Sequence, residues 1–152
     1  MHKHLLPKEA EGVQGYVLCV KHPLNWLESM RKYLLTLGQT SIEYRLLGSL
    51  WTMQSQALLD FNAMRKDAVM FRYEVAMKHP QHVVDTCATA FGLQALPEAT
   101  WPSERMGRGH DNLRHAFATK SPPRIAPLPE RDLKNYTDYI DQEVCEQLGY
   151  KL

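Results

Sequence analysis

The stretch "GYVLCVK", Gly15 to Lys21, constrains this chain more than any other. It is a short apolar run, rich in valine, that stops abruptly in Lys-His-Pro. Such a run reads as a buried strand of the kind found in parallel sheets. Pro23 then suits the first turn of a helix, where its missing N–H would have had no partner anyway. Trp26, Met30, Leu34 and Leu37 follow at helical spacing, and Gly38 is placed to cap them.

The rest of the chain repeats the device. A second helix is predicted from about Ser41 to Met64, with Thr40 or Ser41 as its cap and Glu43 in its first turn. Its apolar stripe is read as Ile42, Leu46, Leu50, Met53, Ala57, Phe61 and Met64. "DAVMFRYE" (Asp67–Glu74) reads as a second buried strand. In "HPQHVVDTCATAFGL", Pro80 opens a helix, Val83, Val84, Cys87, Ala88 and Phe91 share a face, and Gly92 ends it. Periodicity fails from Gln94 to Glu130, where "SPPRIAPLP" reads as loop or tether. A last helix is predicted from Arg131 to Leu148, with Leu133, Tyr136, Ile140, Val144 and Leu148 on one face and Gly149 as cap. "HKHLL" is a candidate third strand. Strands alternating with helices predict an α/β layer architecture with a parallel sheet. At 152 residues and 44% hydrophobic, the chain suits one domain with one sizeable core.

A net charge of +1 points to neither nucleic acid nor membrane as a partner, so any anion site must be local. No apolar run approaches a membrane span, and the first residues lack the apolar core of a signal peptide. Cys19, Cys87 and Cys145 sit far apart in apolar stretches, without metal-ligand spacing. They read as small buried hydrophobes in a reducing, cytoplasmic setting. The pairs His79/His82 and His110/His115 have no carboxylate or cysteine partner at metal-like spacing and read as structural or surface residues.

In open parallel sheets ligands bind at the carboxyl ends of the strands. Lys21 and Glu74 fall at two such ends. A cation there, followed by a helix N-terminus, makes a place for a phosphate, because backbone N–H groups and the helix dipole attract anions. Ser29, two turns into the helix, offers a hydroxyl. Spacing alone fits a solvated, snorkelling lysine better than a ligand.

The segment "YVLCVKHPLNWLESMRKYL" resembles the sulfotransferase segment that binds the 3′-phosphate of the donor PAPS. That family has a strand, then Arg-x-Pro-x-Asp, with a serine eight residues after the arginine. Lys21, Pro23, Asn25 and Ser29 fall on those positions; lysine replaces arginine and asparagine the acid. Lysine keeps the charge but gives up the bidentate fork. The later Trp51 helix, "FRYE" and "HPQHVV…AFGL" are similar to the family's following segments. The resemblance implies that Tyr73 lies by the adenine of PAPS or PAP, a position that packing on the next helix would explain equally well. "RMGRGHD" is weakly similar to the family's late loop over the 3′-phosphate, with Arg105 or Arg108 as the closing cation. "HKHLLP" is similar to the family's Lys-Thr-His-Leu-Pro, whose histidine is the general base. His4 falls where the threonine or the histidine would stand, and a surface histidine fits equally.

The resemblance implies an α/β fold, helix-rich, with part of a three-layer, P-loop-NTPase-like parallel sheet flanked by helices. It implies one sulfotransferase-like domain over residues 1–152, truncated at its N-terminal side. The family's glycine-rich loop, Lys-x-Gly-Thr-Thr, cradles the 5′-phosphosulfate and stabilises charge during transfer; nothing like it occurs in the sequence. Three expectations fit: a fragment of a full enzyme, a subunit completed by a partner chain or by a second copy of itself, or a non-catalytic descendant used for binding. The acceptor, a small molecule or a glycan, is not legible.

Overall fold

The structure is a computed structural model, and it describes residues 13–99 and 126–152. Their order is β1 (Tyr16–Val20), α1 (Pro23–Thr36), α2 (Tyr44–Met64), β2 (Ala68–Arg72), α3 (Tyr73–Lys78), α4 (Pro80–Phe91), α5 (Glu130–Thr137) and α6 (Gln142–Gln147). The two strands pair in parallel, Tyr16 against Ala68 through Val20 against Arg72. The expected α/β architecture with a parallel sheet is therefore present, and helix dominates it. The candidate strand "HKHLL" lies outside the described residues.

Strand alternation divides β1 into two faces. Tyr16, Leu18 and Val20 are buried, and Val17 and Cys19 are exposed. The buried face packs on α2, where the Phe61 ring meets Tyr16 edge-on at 5.2 Å between centroids. On the other face α4 covers only part of the sheet. Its Phe91 ring lies so close to Gly15 that a Cβ there would collide with it. Val17 is left 54% exposed.

The main core joins α1, α2, α5 and α6. Leu27, Leu47, Trp51, Tyr136, Ile140, Val144 and Leu148 are all buried in it. Gly48 is what lets α2 and α5 approach. A Cβ on it would strike the carbonyl oxygen of Tyr136 and stand 3.0 Å from Cβ of Tyr139.

Four sequence expectations change. The stripe of α2 is rotated by about one residue from its predicted position: Leu47, Trp51, Ser55 and Phe61 are buried, whereas Leu46, Met53 and Met64 are exposed. Neither Thr40 nor Ser41 caps this helix; Glu43 stands at the N-cap without a side-chain bond. The second strand stops at Arg72, and Tyr73 and Glu74 begin α3. The last helix is two, because the carboxylate of Asp141 accepts from the N–H groups of Glu143 and Val144 and starts a new one. The predicted buried face survives that break, except for Leu133, which is exposed. Gly92, in the left-handed region at φ 64°, ends α4 as expected.

Candidate functional site at the end of strand β1

Val20 is the last residue paired in the sheet, and beyond it the chain turns through Lys21 and His22 into α1. Side chains from four distant places bond the backbone of this turn. The Tyr150 hydroxyl donates to the carbonyl of Val20 at 2.9 Å. Trp51 Nε1 donates to the carbonyl of Lys21 at 3.0 Å. The N–H of His22 donates to Glu74 Oε1 at 3.0 Å. The Tyr136 hydroxyl donates to the carbonyl of Pro23 at 2.8 Å. The turn that presents Lys21 is thus fixed by side chains from distant elements as well as by the sheet.

From this clamped turn the Lys21 side chain runs along α1. Its Nζ donates to Ser29 Oγ at 2.7 Å, and Ser29 donates to the carbonyl of Asn25 at 3.0 Å. Nζ also lies 4.7 Å from the centre of the Tyr73 ring. The structure therefore brings together Lys21, Ser29 and Tyr73, three residues singled out in the sequence. Among the described residues no carboxylate pairs with Lys21, unlike Lys32 with Glu28, Arg65 with Asp67 and Lys134 with Asp138. Its ammonium contacts a hydroxyl and an aromatic face, with the Glu28 carboxylate, held by Lys32, near enough to feel its charge; that contact set fits an incoming anion.

The helix N-terminus is less open than the sequence predicts. His22 Nδ1 accepts from the N–H of Leu24 at 3.2 Å, and its Nε2 lies 3.1 Å from the carbonyl of Lys151. Those partners place the ring proton on Nε2, which donates to Lys151. Glu74 takes the His22 N–H and also accepts from Asn25 Nδ2 at 2.8 Å and from Tyr150 at 3.0 Å. A carboxylate of the protein already sits where the sequence leaves room for an external one. Burial opposes the charge on Glu74, but hydrogen bonds from Asn25, its own N–H, His22 and Tyr150 outweigh it, and its pKa lies below the ordinary 4.5. Burial, then the bond to Glu74 and its charge, push the Tyr150 hydroxyl up, so it remains a proton donor at neutral pH.

The sequence does not mark Glu74, Asn25, Tyr150 and Tyr136 as the groups that clamp this turn. The signal available was "GYKL" after the last helix, which held a tyrosine just past a glycine cap. His4, Arg105, Arg108, His110 and His115 lie outside the described residues. His79 is exposed, and the exposed His82 ring packs edge-on against Phe71 at 6.1 Å. The cysteines correct one expectation: Cys145 is buried and Cys87 half-buried, but Cys19 is exposed. Burial, with Asp141 and Glu146 nearby, pushes the Cys145 thiol up to about 11. Burial and then the Glu74 charge also raise Cys19. Neither is poised as a thiolate nucleophile. Among the described residues no three His, Cys, Asp or Glu side chains gather to hold a metal ion, and no helix is long and apolar enough to cross a membrane.

No protein-family model matches this chain, and no curated protein matches it significantly. Its fold is similar to that of a solved structure, "Sulfotransferase Domain from the Curacin Biosynthetic Pathway", with a TM-score of 0.54 at 22% sequence identity. The similarity covers 91% of this chain and 54% of that domain, so the chain spans about half the length of the domain it matches. Strand β1, the clamped turn and the helices around them make up a sulfotransferase-like fold.

Proposed function

We propose that this chain is a sulfotransferase-like protein that binds PAP or PAPS through its 3′-phosphate. The observation that carries the reading is the convergence of Lys21 Nζ, Ser29 Oγ and the Tyr73 ring at the end of a parallel strand. Lys21 supplies the charge, Ser29 a hydroxyl donor, and Tyr73 a face on which a base can stack. PAPS, when bound, carries the sulfuryl group; these residues only hold and orient the nucleotide. Transfer to a hydroxyl or amine acceptor then needs a phosphosulfate-binding loop from outside this sequence, and the full three-layer, P-loop-like sheet that such a loop implies. Arg105 or Arg108 would close over the phosphate, and His4 would serve as general base.

Isothermal titration with PAP tests the reading. Saturable heat that Lys21→Ala weakens at least about tenfold, the scale of one charge-assisted hydrogen bond, supports it. No heat with the protein well above micromolar concentration overturns it.

A second reading, a non-catalytic interaction module or oligomer subunit, draws on the exposed Val17 and Cys19 of the partly covered sheet face. Parallel sheets are ordinarily covered on both faces. A partner chain or second copy completing the sheet predicts a sedimentation coefficient above that of a 152-residue monomer. A purely monomeric profile across concentration argues against it for a second copy.

A further inference from the structure

The Glu74 carboxylate lies at the junction of four separate parts of the fold. It accepts from the His22 N–H at 3.0 Å, from Asn25 Nδ2 at 2.8 Å and from Tyr150 at 3.0 Å, and it stands itself in the first turn of α3. The same Tyr150 hydroxyl reaches the carbonyl of Val20, one peptide before Lys21. The His22 N–H is on the next peptide after Lys21. Glu74 and Tyr150 therefore hold the peptides on both sides of Lys21, while Trp51 holds its own carbonyl at 3.0 Å.

Residues 149–152 join this junction from the far end of the sequence. Arg72 Nη1 donates to the carbonyl of Gly149 at 2.9 Å, and the His22 ring donates to the carbonyl of Lys151 at 3.1 Å. The His22 and Tyr150 rings meet edge-on at 5.1 Å between centroids. The segment thus crosses the carboxyl ends of both strands. The one Tyr150 proton faces two acceptors, Val20 and Glu74, so neither contact is independent of the other.

We infer that Glu74 and Tyr150 are positioning residues for the anion site: they tie residues 149–152 to the peptides flanking Lys21 and so set where its ammonium points. The inference rests on the 3′-phosphate reading for its effect on ligand, but its structural part is measurable without ligand. Glutamine can accept from His22 and Asn25 in the same place and donate its amide to the Tyr150 oxygen, which leaves the tyrosine proton to Val20. Alanine can do none of this. Glu74→Gln should therefore rescue what Glu74→Ala loses, whereas a role resting on the charge itself would fail equally in both.

The test compares wild type, Glu74→Gln and Glu74→Ala by amide hydrogen exchange, by the NMR shifts of the Lys21 side chain and by titration with PAP. In Glu74→Ala the His22 amide should exchange at least about tenfold faster, the Lys21 signals should move toward free lysine, and PAP affinity should fall about tenfold, as for one lost hydrogen bond. Glu74→Gln should stay within about threefold of wild type in each, well inside the scale of one hydrogen bond. Circular dichroism shows whether Glu74→Ala is folded; if it is not, Tyr150→Phe, which keeps the ring, should move the Lys21 signals in the same direction. Unchanged His22 exchange and Lys21 signals in folded Glu74→Ala, or equal loss in both Glu74 variants, overturns the inference. Absence of PAP binding to wild type overturns the 3′-phosphate reading alone and leaves the exchange and shift readouts to decide the positioning role.

Discussion

Lys21 is a single positive charge held by a hydroxyl and a ring, and that arrangement makes its substitution informative. Arginine at this position restores the planar fork that suits phosphate. Lys21→Arg should bind PAP as tightly as wild type or more tightly, while Ser29→Ala should weaken it by a few fold, the scale of one neutral hydrogen bond; calorimetry reads both. Glu74 sets a pH dependence whose sign follows from its lowered pKa. A carboxyl lower in the folded state than in the unfolded chain contributes stability that is complete above about 4.5 and is lost as pH falls through the folded value. Urea melts should accordingly show stability falling below pH 4.5, with a shallower fall in Glu74→Gln. Tyr150→Phe leaves the carbonyl of Val20 without its donor and should cost about 1–2 kcal/mol at neutral pH. Lys21 and Ser29 were legible because a strand end, a proline and a fixed spacing place them within one helix. Glu74, Tyr136 and Tyr150 were not, because their partners lie 52, 113 and 130 residues away and nothing local marks such bonds.

Among the elements, α2 carries the clearest lesson. Its apolar residues are numerous enough to support more than one stripe, and the sequence pattern favoured the row containing Leu46 and Met53. Packing chose the row containing Leu47 and Trp51, because Gly48 beside them admits the backbone of α5. Gly48→Ala must push those helices apart and should cost about 1–3 kcal/mol, measured as a lower urea midpoint with an unchanged slope. The break between α5 and α6 was invisible to periodicity because the buried face of Tyr136, Ile140, Val144 and Leu148 runs through it unbroken. Its cause is a local capping bond, and Asp141→Ala should cost about 1 kcal/mol in the same assay.

For the molecule as a whole, the alternation of strands and helices was enough to give a parallel α/β arrangement and the order of its parts. Among the described residues two strands pair, and one face of that sheet is only partly covered. The candidate site does not depend on a larger sheet, since core side chains fix its turn from α2, α3, α5 and residue 150. That independence is why the proposed phosphate site requires only the described half of a sulfotransferase-like fold.

The 3′-phosphate is the feature that separates PAP from 5′-AMP, so parallel calorimetric titrations with the two nucleotides test the central claim most directly. Binding of PAP at least about tenfold tighter than 5′-AMP, with the difference abolished in Lys21→Ala, is the predicted result. Equal affinity for the two nucleotides, or a preference for PAP that survives Lys21→Ala, would contradict it.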